Sequence, residues 1–125
     1  MGVSSPEEMA DVFRQRFNDR DAAGLVALYA PDAAFTMDGV SVARGTDEIR
    51  AALGGMLKSP FRLKGKYDSV FVAGDVAVCK LRWEMLNAEG WIEMDGVSLE
   101  VLKRGSDGLW RFAIDDATGS SRPAE

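Results

Sequence analysis

Two acidic residues in the second half of the chain, Glu100 and Asp115, are the side chains whose spacing best suits them to do chemistry. The chain contains no histidine, which removes Ser-His-Asp and Cys-His catalysis and any metal site built on imidazole. Without histidine, the minimum equipment for acid–base work is a pair of carboxyls whose pKa values diverge. If Gly105 pairs with Gly108 in the last hairpin, then Leu102 faces Arg111, Glu100 faces Ala113 and Ser98 faces Asp115. Glu100 and Asp115 then lie two rows apart on one face, with Cβ atoms about 7–8 Å from each other. Set among Ala77, Ala113 and Leu102, a carboxyl loses hydration and its pKa rises, and a second carboxylate raises it further; Arg111 would hold one of them ionised. On this reading Glu100 is the acid and Asp115 the base or orienter. The competing reading is an ordinary cross-strand ion pair between Arg111 and Asp115.

Other reactive residue types have plainer readings. Cys79 is the only cysteine, so no intramolecular disulfide can form, and its apolar surroundings from Val76 to Leu81 suit a small buried hydrophobe. Asp38 precedes Gly39 and reads as a turn former. Gly54-Gly55 lacks the rest of a nucleotide-binding motif. The carboxylates are too dispersed to sketch a cage for a hard cation, so the sequence implies no metal and no cofactor. Phe13, Phe17, Tyr29, Phe35 and Trp83 could wall a site for a flat apolar ligand, with Met37, Met94, Ser98 and Arg111 completing the candidate binding set. The alternative is that these aromatic stripes are simply core.

Helices come first and strands afterwards. Ser5-Pro6-Glu7-Glu8 reads as a capping box, and Met9, Val12, Phe13 and Phe17 recur on one helical face. Asp21 caps a second helix with the stripe Leu25, Leu28 and Tyr29, ended by Pro31. A short strand over residues 34–37 turns at Asp38-Gly39, and Thr46 caps a third helix that closes at Ser59-Pro60. Four strands follow, at about 61–73, 75–87, 90–104 and 109–117, joined by short glycine-bearing turns that make neighbours antiparallel. Residues 118–125 read as a flexible tail. The layout is α+β, one domain over residues 1–125, with helices packed on one face of the sheet.

Alternation sorts the strand residues into two faces. With Asn87 opposite Gly90, one face carries Met85, Trp83, Leu81, Cys79, Ala77, Ile92, Met94, Ser98, Glu100, Leu102, Arg111, Ala113 and Asp115. Its small residues leave volume unfilled, as the wall of a cavity does. The other face carries Val76, Val78, Leu99, Val101, Trp110, Phe112 and Ile114, an apolar patch that suits a homodimer interface, with Trp110 packing there. The opposite assignment puts Val, Phe, Ile and Trp beneath the helices and leaves Glu100 and Asp115 in water.

Length and charge agree with a small soluble unit. A chain of 125 residues buries about 65% of its unfolded surface, enough for one core without staples. Its formal net charge of −5 argues against nucleic acid and anionic membranes as partners. The start Met1-Gly2-Val3-Ser4-Ser5-Pro6 lacks a secretory apolar stretch and a myristoylation pattern, and no run approaches the length of a membrane span, so a cytoplasmic location is expected.

The segment from Asn18 through Asp-Arg-Asp-Ala-Ala-Gly-Leu-Val-Ala-Leu-Tyr-Ala-Pro-Asp-Ala-Ala to Phe35 resembles the opening of the nuclear transport factor 2-like superfamily, which includes ketosteroid isomerases and SnoaL-like polyketide cyclases. Arg44-Gly-Thr-Asp-Glu-Ile-Arg50 is similar to the start of the third helix there, and Gly96 to Arg104 followed by Asp107 to Asp116 looks like the uncharacterised SnoaL-like subgroup. The resemblance implies a cone-shaped, curved antiparallel sheet of the cystatin-like kind, with three N-terminal helices enclosing a pocket, commonly as a homodimer through the outer sheet face. It also implies that ketosteroid isomerases use a helix-one tyrosine, a base on the strand after helix two and a protonated acid on a later strand. Here those positions match Phe13, Met37 and Glu100, so only the third group is retained. The function expected is a cofactor-free acid–base enzyme of isomerase, cyclase or dehydratase type acting on a hydrophobic, carbonyl-bearing metabolite. The alternatives are a non-catalytic binder of an apolar ligand and a dimerisation module with a vestigial cavity.

Overall fold

The computed structural model describes residues 2–119. One 3₁₀ turn (Pro6–Glu8) leads into α1 (Met9–Asn18), followed by α2 (Ala22–Val26), β1 (Tyr29–Thr36), β2 (Ala43–Arg44), α3 (Gly45–Met56), β3 (Arg62–Ala73), β4 (Val76–Leu86), β5 (Ile92–Arg104) and β6 (Trp110–Asp116). The four late strands and their turns thus fall where alternation put them. The sheet order is β2-β1-β6-β5-β4-β3, an open, curved α+β sheet whose edges are β2 and β3. Every neighbouring pair is antiparallel except β1–β6, which is parallel. A parallel pair needs a long crossover, and the stretch from α3 through β5 supplies it.

Local signals at the helix starts are partly overridden. Ser5 stands at the N-cap but its side chain accepts no cap hydrogen bond, and the first turn is 3₁₀. Asp21 does cap α2, accepting from the Gly24 N–H at 2.9 Å. At α3 the cap is reciprocal in a different sense: Glu48 Oε1 accepts from the Arg44 N–H at 2.9 Å, and Thr46 is not the cap. Pro31 does not end a helix; it lies within β1, and Leu28 and Tyr29 have already left α2. Proline tolerates a strand where no ladder N–H is required of it. The expected turn at Asp38-Gly39 is present, with Asp38 Oδ1 accepting from the N–H groups of Val40 and Ser41, both at 2.8 Å.

Helix α1 is fastened to β3 by polar side chains. Asn18 donates to the Leu63 carbonyl and accepts from the Leu63 N–H, imitating a strand partner. Arg20 donates to the carbonyls of Phe17, Ser59 and Phe61 while its guanidinium lies 5.3 Å from the Phe17 ring centroid. Met9, Phe13 and Phe17 are buried, as the helical periodicity requires. The core therefore fills the space between α1, α3 and the concave side of the sheet.

Two irregularities set which side chains face that core. In the β4–β5 pair the register is Met85↔Met94, Trp83↔Gly96, Leu81↔Ser98, Cys79↔Glu100 and Ala77↔Leu102, two residues from the hairpin-based expectation. A shift of two preserves the faces, so Trp83, Leu81, Cys79, Ala77, Ser98 and Glu100 are all buried. In the β5–β6 pair the register changes between Val101 and Leu102: Leu102 is opposite Phe112, but Val101 is opposite Ile114 and Glu100 opposite Asp115. Ala113 is the extra residue of a β-bulge. Trp110 and Phe112 consequently point into the core, and so does Asp115, while Ile114 is exposed. This corrects the assignment of Trp110 and Phe112 to the outer face. Trp110 is further covered by the N-terminal arm, where Val3 exchanges backbone hydrogen bonds with it at 3.0 and 2.8 Å.

The predicted flexible tail begins in a turn, with the Thr118 N–H bonded to Asp116 Oδ1 at 3.2 Å; residues 120–125 lie outside the described residues.

Candidate functional site

Beneath the helices a cavity is lined by Ala10, Phe13, Phe35, Met37, Met56, Leu63, Leu81, Trp83, Met85, Ser98, Glu100, Phe112, Asp115 and Ala117. The space within which the centre of a water molecule can move is about 50 Å³, room for a few waters, so a ring-sized ligand enters only as wall side chains give way. Its wall is mostly apolar: α1 contributes Phe13, β1 contributes Phe35, and β4 contributes Trp83, whose Nε1 donates to the Ala117 carbonyl at 2.7 Å. Gly96 lies across from Trp83, and a Cβ there would stand 2.9 Å from the indole, so the small residue makes room for the ring.

Against that wall, Glu100 and Asp115 are direct cross-strand partners and both are buried. They are closer in register than the two-row separation expected from the sequence, because the hairpin register is displaced by one residue and the bulge at Ala113 adds another. Each carboxyl is held by its own tyrosine. Tyr29 from β1 donates to Asp115 Oδ2 at 2.6 Å, and Tyr67 from β3 donates to Glu100 Oε1 at 2.7 Å. Ser98 donates to Glu100 Oε2 at 3.0 Å. Tyr67 sits just before a second register irregularity, between Tyr67 and Ser69.

The electrostatics separate the two acids. Burial pushes the Glu100 carboxyl up, to about 8, and the neighbouring Asp115 charge adds to the rise, against the hydrogen bonds from Tyr67 and Ser98. Burial also raises Asp115, to about 6, but the Tyr29 hydroxyl stabilises its ionised form and Asp116 opposes it. Near neutral pH the pair therefore holds one proton, mainly on Glu100. Both tyrosine hydroxyls are pushed above their ordinary range by burial and by the carboxyl each one serves. Cys79, opposite Glu100 in register, is buried, and its thiol is pushed up to about 12 by burial and by Glu100. It is a core side chain with no nucleophilic character.

Of the residues singled out from the sequence, Phe13, Phe35, Met37, Trp83, Ser98, Glu100 and Asp115 line the cavity. Phe17 and Tyr29 do not line it but pack behind the wall: the Phe13 and Phe17 rings stack at 6.4 Å, and Tyr29 lies 4.8 Å from Phe112. Two assignments are corrected. Met94, although opposite Met85, lies where β5 emerges from its own irregularity and is 46% exposed, away from the cavity. Arg111 is turned away by the one-residue register change and pairs with Asp107 at 2.6 Å, so it neither lines the cavity nor forms the alternative ion pair with Asp115. The sequence reading missed Tyr67 and Phe112. Tyr67 was legible only as one alternating residue of a long strand, and Phe112 was hidden by the bulge.

What this arrangement can do is hold a proton on one carboxyl and a charge on its neighbour within an apolar enclosure, which is equipment for proton transfer. Among the described residues no group of three or more His, Cys, Asp or Glu side chains is gathered for a metal ion. Among the described residues no helix is long and apolar enough to cross a membrane.

Comparison with solved structures finds the same fold at low identity. The chain superposes over its whole length on 99% of a putative calcium/calmodulin-dependent protein kinase type II association domain from Thiobacillus denitrificans, with a TM-score of 0.82 at 20% identity. A ketosteroid isomerase-like protein from Erwinia carotovora atroseptica matches with a TM-score of 0.73 at 22% identity, covering 93% of this chain and 95% of that one. An NTF2-like protein with a cystatin-like fold from Novosphingobium aromaticivorans gives 0.78 at 17% identity, covering 94% and 83%. No curated protein matches by sequence. The fold is thus that of the nuclear transport factor 2-like superfamily, as the resemblance implied. The SnoaL-like domain family matches residues 10–113, a span that takes in Glu100 and the cavity lining except Asp115 and Ala117, and the chain belongs to that family.

Proposed function

We propose that the protein is a cofactor-free acid–base enzyme that acts on a small hydrophobic metabolite, with Glu100 as the proton donor and Asp115 as the base. The observation that carries this reading is the cross-strand pair itself: two buried carboxyls, each anchored by a separate tyrosine, facing one apolar cavity. Tyr29 favours the ionised form of Asp115, and the protonated Glu100 can donate to a developing oxyanion. Its test is deuterium exchange: incubation of compact cyclic ketones in D₂O with the protein, followed by NMR. Exchange of the α-hydrogens that Asp115→Asn abolishes and Glu100→Gln slows by at least tenfold supports the assignment. Binding without exchange favours the second reading, a non-catalytic carrier, for which the apolar Phe13 and Met37 in the cavity wall speak.

The same reading includes a cytoplasmic homodimer, with the outer face of the sheet as the interface. Its support is a row of apolar side chains directly opposite one another on four strands, Phe71, Val78, Val101 and Ile114, of which Phe71, Val78 and Ile114 are exposed. Sedimentation of the protein across micromolar concentrations tests it, and a monomer throughout would remove the dimer.

A further inference from the structure

The cavity is electrostatically one-sided. Its polar groups are two carboxyls and the Ser98 hydroxyl, and among the described residues no lysine or arginine lines it. Arg111 pairs with Asp107, Arg104 with Asp75, and Arg20 donates to three carbonyls. Tyr29 and Tyr67 supply dipoles to the carboxyls but no compensating charge. The groups that face the pair are Tyr29 from β1, Tyr67 from β3, Cys79 from β4, Ser98 from β5 and Asp116 from β6, none of them cationic. A carboxylate held in a low-dielectric enclosure without a cation is costly, and the pair relieves that cost by retaining a proton.

The remaining wall is suited to the partner that is missing. Phe13, Phe35, Trp83 and Phe112 present aromatic surface, and Met37 and Met56 present polarisable thioethers. Such surface packs the apolar body of a small ligand, while the two acids favour a cationic head and repel a phosphate or a carboxylate. We infer that the metabolite this cavity takes carries a basic nitrogen, bound as the ammonium ion against Asp115 and Glu100 with its apolar body among the aromatic rings. The inference rests on the reading of the cavity as a small-molecule site and narrows the class of molecule: a compact hydrophobic amine, with acidic metabolites excluded. The ammonium pairs with the ionised Asp115 and leaves the proton on Glu100, the acid of the proposed reaction.

Three probes of one ring size test this: cyclohexylamine, cyclohexanone and cyclohexanecarboxylate, titrated into the full chain by calorimetry in buffers of different ionisation enthalpy. The amine is expected to bind at least roughly tenfold tighter than the ketone at pH 7.5, and the carboxylate not at all. Its affinity should fall about tenfold between pH 7.5 and pH 5 as Asp115 protonates. Asp115→Asn should abolish the preference for the amine over the ketone. Should that variant fold poorly, the pH dependence of the unaltered protein decides the matter alone. Equal affinity for amine and ketone, or amine binding indifferent to pH, overturns the charge inference and leaves the cavity reading standing. Failure of all three rings to bind overturns both.

Discussion

Glu100 is the more strongly perturbed of the two carboxyls, and its burial has a consequence for the folded state. The Glu100 carboxyl titrates at about 8 and Asp115 at about 6 in the folded protein, both above ordinary carboxyl values. The native state therefore holds protons that the unfolded chain has already released, and stability falls as pH rises from about 4 through about 8. Thermal midpoints measured from pH 5.5 to pH 9 should decline. Glu100→Gln keeps the partners Tyr67 and Ser98 but removes the charge, so it should flatten the decline and stabilise the protein at pH 9 by roughly 2–4 kcal/mol. A steeper decline in that variant would contradict the assignment. Tyr67→Phe acts in the other direction. It removes a hydrogen bond that holds Glu100 down, so the carboxyl should titrate higher still, which carbon-13 NMR of the side chain reads directly.

At the scale of elements, the site depends on three strands being offset correctly and on α1 being held over them. Gly96 and Trp83 illustrate the first requirement. Gly96→Ala places a methyl 2.9 Å from an indole that is also pinned to Ala117; the expected cost is about 1–3 kcal/mol in urea unfolding, with a shift in tryptophan emission. Arg20 illustrates the second. Its three carbonyl contacts join the end of α1 to the connection entering β3, so Arg20→Ala should cost about 2–3 kcal/mol and loosen amide protection at the ends of α1 and β3. Arg20 also holds a left-handed backbone, φ 59°, which adds a local strain that these contacts must outweigh.

For the whole molecule, the open sheet has a covered concave side and an exposed convex one. Glu100 and Asp115 lie on the first, and the row from Phe71 to Ile114 on the second. Charge placed in the centre of that row should disrupt the proposed dimer without touching the cavity. Val78→Asp is expected to yield a monomer by sedimentation with affinity for cyclohexylamine preserved, because Val78 faces away from Cys79 and Glu100. Trp110 does not belong to that surface, since Val3 and the Arg104 guanidinium, 5.5 Å from its ring centroid, cover it.

The sequence alone determined the succession of three helices and the four late strands, their turns, and the inward direction of Trp83, Ser98 and Glu100, but not the two-residue strand β2. These follow from local turn chemistry and from the period of two along a strand, which survives even a register error of two residues. Asp115 was placed inward too, but through two compensating departures: the hairpin register is displaced by one residue, and the bulge at Ala113 supplies another. The same displacement carried Arg111 out and Trp110 and Phe112 in, against strict alternation. The tyrosine partners came from β1 and β3, which flank the pair only once the sheet order places β6 beside β1 and β4 beside both β3 and β5. Periodicity is a property of neighbours along the chain; a bulge and a hydrogen bond between residues 86 positions apart are decided by the packing of the whole sheet, and only the tertiary structure holds that information.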